Sequence, residues 1–316
     1  MSDNAGNDTG IRSVPVFADI PAPTETLTTG TSSKTETPSD VNGCVVWHRK
    51  HLRTADHRAL AHAVADADII CPLFVFDPTF YDGDGLACDA RIKFLHEAID
   101  SLDQLYATAP TQLITHAAST SHDYLIENTP VEPQQIPSST DNPELNSDSA
   151  SDRSLNTGRN DTDVSHSSPA ESASASGLTI GYGDPVDILS HFADRGWSIL
   201  TMATPTSRYG ERRDNRVQSA CGDALRFISG DGLIRDAEWS RVNWQEHITE
   251  WLASEQHTPG WTEDTPQFTI STGVTPSVIE RAHDINPTKT MVPTGTHRPA
   301  TTQLRAFVDR IGAYPR

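Results

Sequence analysis

Three cations, Arg49, Lys50 and Arg53, fall within five consecutive residues, and His48, His51 and His57 are interleaved with them. A cationic loop of this kind is a ligand-binding element when it follows the first strand of an open α/β sheet, because such sheets seat ligands beyond the carboxyl ends of their strands. The same pattern also suits an ordinary βα unit with surface arginines. Three histidines so close in sequence could ligate a metal, but they lack a cysteine or carboxylate at ligand spacing, and they are read as solvent-facing. The chain contains no GxSxG, HExxH, Walker A or CxxC pair, and no Ser/His/Asp arrangement can be identified. It therefore offers no catalytic residue and no metal site, and the chemistry to expect is binding.

The elements around this loop follow from hydrophobic patterning. Cys44 to Trp47 is a short apolar strand, and a helix opening near Thr54 or Asp56 carries Ala59, Leu60, Ala63 and Val64 at helical spacing. Ile69 to Phe76 is a near-continuous apolar run, as expected of a parallel strand buried on both faces. Pro72 is awkward inside it, so the working strand is placed at Leu73 to Phe76, ending at Asp77-Pro78. Ile92, Leu95, Ile99, Leu102 and Tyr106 form one face of a helix from Asp89 to about Ala107. Gln112 to Ile114 is a candidate short strand. Further strands are expected at Leu178–Ile180, Trp197–Ala203 and Leu225–Ile228. Between them lie a helix capped by Asp184, started by Pro185 and ended by Gly196, and a second running through Val217 and Cys221. Strand and helix alternate, so the predicted fold is α/β: a doubly wound, Rossmann-like, five-stranded parallel sheet with helices on both faces.

Composition bounds the rest. The 316 residues carry a net charge of −19, and only four of the 24 basic residues are lysines. Acid-rich and lysine-poor, this is a haloarchaeal-type composition, suited to a salt-loaded cytoplasm where repulsion among acids is screened over about 3 Å at molar salt. So acidic a chain is a poor DNA binder by itself, since affinity for nucleic acid rests on Lys and Arg neutralising phosphates. Cys44, Cys71, Cys88 and Cys221 are scattered and read as reduced, structural thiols. No signal peptide or membrane-length apolar run is visible, which predicts a soluble, cytoplasmic protein with no membrane partner. Residues 1–42 read as a disordered acidic tail, with Val14–Phe17 as a small apolar exception that could dock. Residues 43–235 read as the α/β domain, interrupted at about 110–177 by a disordered insertion too polar to offset the entropy of ordering. Residues 236–316 read as a linker with short helices, the last with Leu304, Phe307, Val308 and Ile311 facing inward.

The residues Trp47, His48, Arg49, Lys50, Leu52, Arg53, Asp56, His57 and Leu60 match the opening motif of the photolyase/cryptochrome family, with His51 where that family usually has Asp. The run Pro72 to Pro78, then Arg91, Phe94 and Leu95, and later Gly183, Asp184, Pro185, Val186, Leu189, Tyr209, Gly210, Arg213 and Asp214, resemble its later motifs in the same order. The resemblance implies an antenna-type α/β domain and linker associated with light-dependent DNA repair (deoxyribodipyrimidine photolyase) or blue-light sensing. It implies that a deazaflavin or folate chromophore would lie against Lys50, Val75, Phe76, Asp77, Arg91, Phe94, Tyr209 and Arg213. Pro205 and Ser207 stand where antenna-binding members offer acidic or amide side chains. Arg49, Arg53 and Asp56 are expected at a domain interface. The family's helical FAD domain would begin where the chain stops, at Arg316. FAD is therefore expected only on a separate or missing helical domain, in cis or in trans, with DNA reached only through it. The alternative expectation is a non-catalytic nucleotide- or pigment-binding α/β module acting as a scaffold or partner subunit.

Overall fold

The computed structural model describes residues 17, 19–30, 41–81, 88–117, 176–204, 207–230, 244–257, 259–261, 265–289 and 292–311. All of these fall in one compact unit formed by Met1–Ile126 with Ala175–Arg316. Most of the expected insertion, and Val14–Val16, lie outside the described residues.

A parallel sheet forms the frame. Its first strand, β1 (Gly43–His48), pairs on one side with β2 (Ile69–Phe76) and on the other with β5 (Ser198–Met202), and β6 (Leu225–Ile228) extends the β5 edge. The other side of β2 is shared: β7 (Gln267–Ser271) meets it at Ile70 and carries β3 (Leu113–Ala117) beyond, while β4 (Thr179–Tyr182) pairs with the second half of β2 from Leu73. Among the described residues the sheet has seven strands, not five. The two strands beyond five are β3, which falls on the candidate strand at Gln112 to Ile114, and β7, which comes from the stretch expected to be a linker. Its Gln-Phe-Thr-Ile-Ser is too short and too polar to stand out, yet its first four residues are buried.

Pro72 sits inside β2, opposite Val46, contrary to the shortened strand expected. The reason is local. Ile70 donates its N–H toward the β7 side, to Pro266 O at 3.1 Å. Pro72 has the same parity and presents its donor-less nitrogen to that side too. There β7 leaves β2 after Ile70 and β4 begins pairing only at Leu73, so the proline occupies the changeover between neighbours.

Helices cover both faces. Ile92, His96, Ile99, Leu102 and Tyr106 of α3 (Asp89–Ala107) and Ala59, Leu60 and Ala63 of α2 (Arg58–Asp66) pack on one face. α7 (Pro276–Ala282) joins them through Ile279. On the other face lie α4 (Pro185–Asp194), with Ile188, Leu189 and Phe192, and α5 (Arg208–Cys221), with Val217. Asp184 caps α4, accepting from Val186 N at 2.9 Å, and Gly196 leaves it at φ +83°, a conformation open to glycine.

The stretch read as a tail is partly built into the fold. α1 (Pro23–Gly30), Phe17 and Ile20 lie over the α4 face, with Phe17 and Ile20 each 1% exposed. Trp197 Nε1 donates to Pro21 O at 2.9 Å. A Cβ at Gly43 would come within 2.5 Å of Pro23, so glycine is what lets the arm approach β1.

α6 (Trp244–Ala253) and α8 (His297–Ile311) project apolar side chains into solvent. Leu304, Phe307 and Val308 of α8, expected inward, are 62%, 49% and 56% exposed; Ile311 lies outside the described side chains. Among the described residues, no helix is long and apolar enough to cross a membrane. All four cysteines are free. Three are buried, but Cys88 is exposed at the start of α3, where the backbone N–H of Arg91 holds its thiol below the usual range.

Candidate functional site

A cavity of about 350 Å³ opens at the carboxyl ends of β1 and β2. Its wall is largely apolar, built from Trp47, Leu52, Phe74, Phe76, Phe80, Tyr81, Phe94 and Leu95 among others. The polar groups at its edge are Arg49, Lys50, Asp77 and Arg213. Of the eight residues expected around a chromophore, Lys50, Val75, Phe76, Asp77, Phe94 and Arg213 line it. Tyr209 does not line it but closes its flank: the hydroxyl donates to Asp77, and the ring meets Phe80 edge-on at 5.5 Å. Arg91 is exposed on the first turn of α3 and is not among the lining residues.

One carboxylate organises the cationic edge. Asp214 Oδ2 accepts from Arg49 at 2.6 Å, while Oδ1 accepts from Arg213 at 2.8 Å. The two guanidiniums lie against the Trp47 ring, at 5.0 Å and 5.4 Å from its centroid. Arg49 also donates to Thr201 Oγ1 at 3.1 Å, and its side chain is only 5% exposed. It is held as a strut within the described unit. Arg53 and Asp56 shape the turn that follows. Arg53 donates to the carbonyls of Ala55 and Asp56, both at 3.0 Å, and Asp56 adopts φ +49°. Asp56 Oδ1 accepts from His257 N at 3.2 Å, tying this turn to the segment after α6.

The histidines are not solvent-facing. His48 and His57 are each 1% exposed, and His51 is half-buried. His48 Nδ1 donates to His51 O at 3.0 Å, so its Nε2 accepts from Tyr106 at 2.7 Å. His57 Nδ1 caps α2, accepting from Leu60 N at 3.0 Å. Burial pushes His48 down to about 4. It pushes His57 to about 2, with His48, His51 and Arg53 adding repulsion. Both are neutral when folded. Below about pH 6.5 the unfolded chain takes up protons that the folded chain refuses, so their contribution is full above that pH and lost as pH falls toward the folded values. The expected slope is up to about 1.4 kcal/mol per pH unit for each histidine. Urea unfolding of wild type and His57→Asn, which keeps a capping oxygen, should show a shallower acid loss in the variant; equal slopes would contradict the assignment.

Deeper in the wall lie residues that sequence patterning did not single out. His96 stands inside α3 among apolar residues, and Tyr81 lies in a turn-rich loop. Tyr81 bonds His96 Nε2 at 3.0 Å, and His96 Nδ1 bonds Glu280 Oε1 at 3.0 Å. Glu280 comes from α7, which is remote in sequence, so no local signal could have joined the three.

A parallel sheet with helices on both faces and a ligand-sized cavity at the strand ends is a doubly wound α/β module, the fold it shares with a solved photolyase. Residues 44–127 match the family model described as DNA photolyase. A (6-4)DNA photolyase of Arabidopsis thaliana is 34% identical over 70 residues, covering 20% of this chain and 13% of the plant protein. A bacterial class III photolyase from Agrobacterium tumefaciens shares the fold at 15% identity and a TM-score of 0.50, over 88% of this chain and 46% of its own. An archaeal photolyase from Sulfolobus tokodaii, whose structure holds two FAD molecules, matches at 13% identity and a TM-score of 0.47, over 83% and 46%. The chain thus spans less than half of the solved photolyases and a smaller share of the plant relative.

Proposed function

We propose that this chain is an antenna-type, pigment-binding α/β module of a photolyase/cryptochrome-like system, serving light-dependent DNA repair or blue-light sensing. The observation that carries the reading is the 350 Å³ cavity, with aromatic walls and Arg213, Lys50 and Asp77 at its edge. Such a site suits a planar conjugated ring, a deazaflavin or a folate: apolar faces are covered while a few charged groups fix its orientation. Phe94 is 43% exposed at the cavity and presents a ring face for an occupant to cover.

Electron transfer to DNA would belong to a flavin-binding helical domain, in cis or in trans, and DNA would be reached only through it. The exposed Leu304, Phe307 and Val308 of α8 support such a partner. The same face favours a second reading, a scaffold or partner subunit without catalysis. The acidic, lysine-poor composition supports work in a salt-rich cytoplasm.

Titration in molar salt with deazariboflavin and with a reduced folate tests the reading, followed by fluorescence and dialysis. One-to-one binding of either ring is expected. Phe94→Ala should weaken it about tenfold, the loss of roughly 1.4 kcal/mol of aromatic contact. Failure of both rings to bind would sink the reading.

A further inference from the structure

A second cavity, of about 140 Å³, is set where the start of α2 meets the end of α6, and it shares no lining residue with the first. Its wall holds Asp56 and Arg58 from the α2 side, Gly230 after β6, and Trp251, Glu255 and His257 from α6 and the turn beyond it. Arg58 is placed by the backbone beside it. A Cβ at Gly230 would come within 2.9 Å of Arg58 Cδ, so glycine is what leaves room for the stem of this side chain. The guanidinium makes one long hydrogen bond, 3.4 Å to Ser229 O, and has no carboxylate partner among the described residues.

The two carboxylates differ in how far they are engaged. Asp56 Oδ1 accepts from His257 N at 3.2 Å, and Oδ2 stands 3.9 Å from Arg53. Glu255 has no cation partner among the described residues. A guanidinium and a carboxylate thus line one small cavity without pairing with each other. Trp251 adds an indole that is 41% exposed, whose ring can cover a cation or its methyl groups.

These charges decide the class of occupant. An anion alone would satisfy Arg58 and be repelled by Glu255 and Asp56. A cation alone would be repelled by Arg58. A neutral molecule would leave both charges uncompensated. A zwitterion answers both: its carboxylate can take paired N–H bonds from the guanidinium, while its ammonium meets the Glu255 carboxylate and the indole. A cavity of about 150 Å³ holds a benzene ring. The 140 Å³ here therefore admits an amino-acid-sized molecule and excludes a nucleotide or a peptide. We propose that this cavity is a binding site for a small zwitterion, an ammonium and a carboxylate joined by a short carbon chain, with Arg58 holding the carboxylate and with Glu255 and Trp251 holding the ammonium. Occupancy clamps the segment after α6 to the start of α2. Nothing in this site depends on an occupant of the strand-end cavity.

Glycine betaine is the probe, titrated into the full chain at constant molar salt, with contact read by saturation-transfer NMR and affinity by calorimetry. Excluded osmolytes raise melting temperatures without binding, so a thermal shift is not the readout. Saturable one-to-one binding is expected, with tetramethylammonium and acetate, the two halves of the probe, each at least about tenfold weaker. Trp251→Leu and Glu255→Gln change exposed side chains, so the fold is kept. Each should weaken betaine about tenfold. Glu255→Gln should also bring acetate level with betaine, and Arg58→Gln should bring tetramethylammonium level with it. Betaine contact that does not saturate, or a half-probe that binds wild type as tightly as betaine, would overturn the proposal. So would affinity unchanged in Glu255→Gln and Trp251→Leu, or a charge variant that weakens all three probes alike, as a merely structural role would.

Discussion

Replacing Asp214 with alanine is expected to destabilise the fold by about 3–5 kcal/mol, the usual result of removing one partner from a buried ion pair. Arg49 is the reason. Its side chain is 5% exposed, pinned between Trp47 and Phe227, and cannot lose its proton. Without the carboxylate, a guanidinium would be left uncompensated under the sheet edge, and Arg213 would lose its anchor as well. Urea unfolding at constant high salt measures the loss. The double variant Arg49→Met/Asp214→Leu should recover most of it, since replacing both charges by apolar groups avoids the stranded ion. A loss in Asp214→Ala below about 1 kcal/mol would mean that the pair behaves as a solvated surface bridge.

Phe17→Ala is expected to cost about 3–5 kcal/mol, the usual range for deleting a buried ring. The residue lies in a stretch whose composition reads as tail, yet it is 1% exposed, 6.0 Å from the Phe192 ring, and close-packed over Gly181. Truncation would open a cavity between the arm, α4 and β4 that the rigid sheet cannot collapse. The same unfolding experiment reads the effect. A change under about 1 kcal/mol would show that the arm docks outside the cooperative core.

These two residues also mark how far the sequence could be read. The βα pattern from Cys44 to Phe76 was legible because apolar runs and helical spacing are strong local signals, and β1 and β2 are accordingly buried at every residue. Phe17 was noticed as an apolar exception but not placed, because its partners in α4 lie far along the chain. β7 escaped because Gln267 and Thr269 are polar residues buried within a sheet, where Gln267 Nε2 donates to Gly177 O and Thr269 meets Thr115, contacts that no window of sequence contains. At the site, the motif positions Lys50, Phe76, Asp77, Phe94 and Arg213 converge on the cavity. The pairing of Arg49 was not legible, because an arginine in a basic loop gives no hint that Asp214, 165 residues on, will meet it. The histidines were misread for a similar reason: burial of His48 depends on Tyr106, one helix and one strand away.

The late arrival of β7 sets an order of events during synthesis. β3 pairs with β7 along its whole length, Leu113 to Ala117 against Gln267 to Ser271, and the Thr115–Thr269 contact spans 154 residues. A ribosome-bound chain that has already made β1, β2, β4, β5 and β6 still lacks the strand that joins β3 to the rest. Until Ser271 clears the exit tunnel, β3 waits without its partner and the outer side of β4 presents an open, hydrogen-bonding edge. The nascent protein is therefore most vulnerable to wrong pairing, and most in need of chaperone cover, in a window that closes only with this five-residue segment.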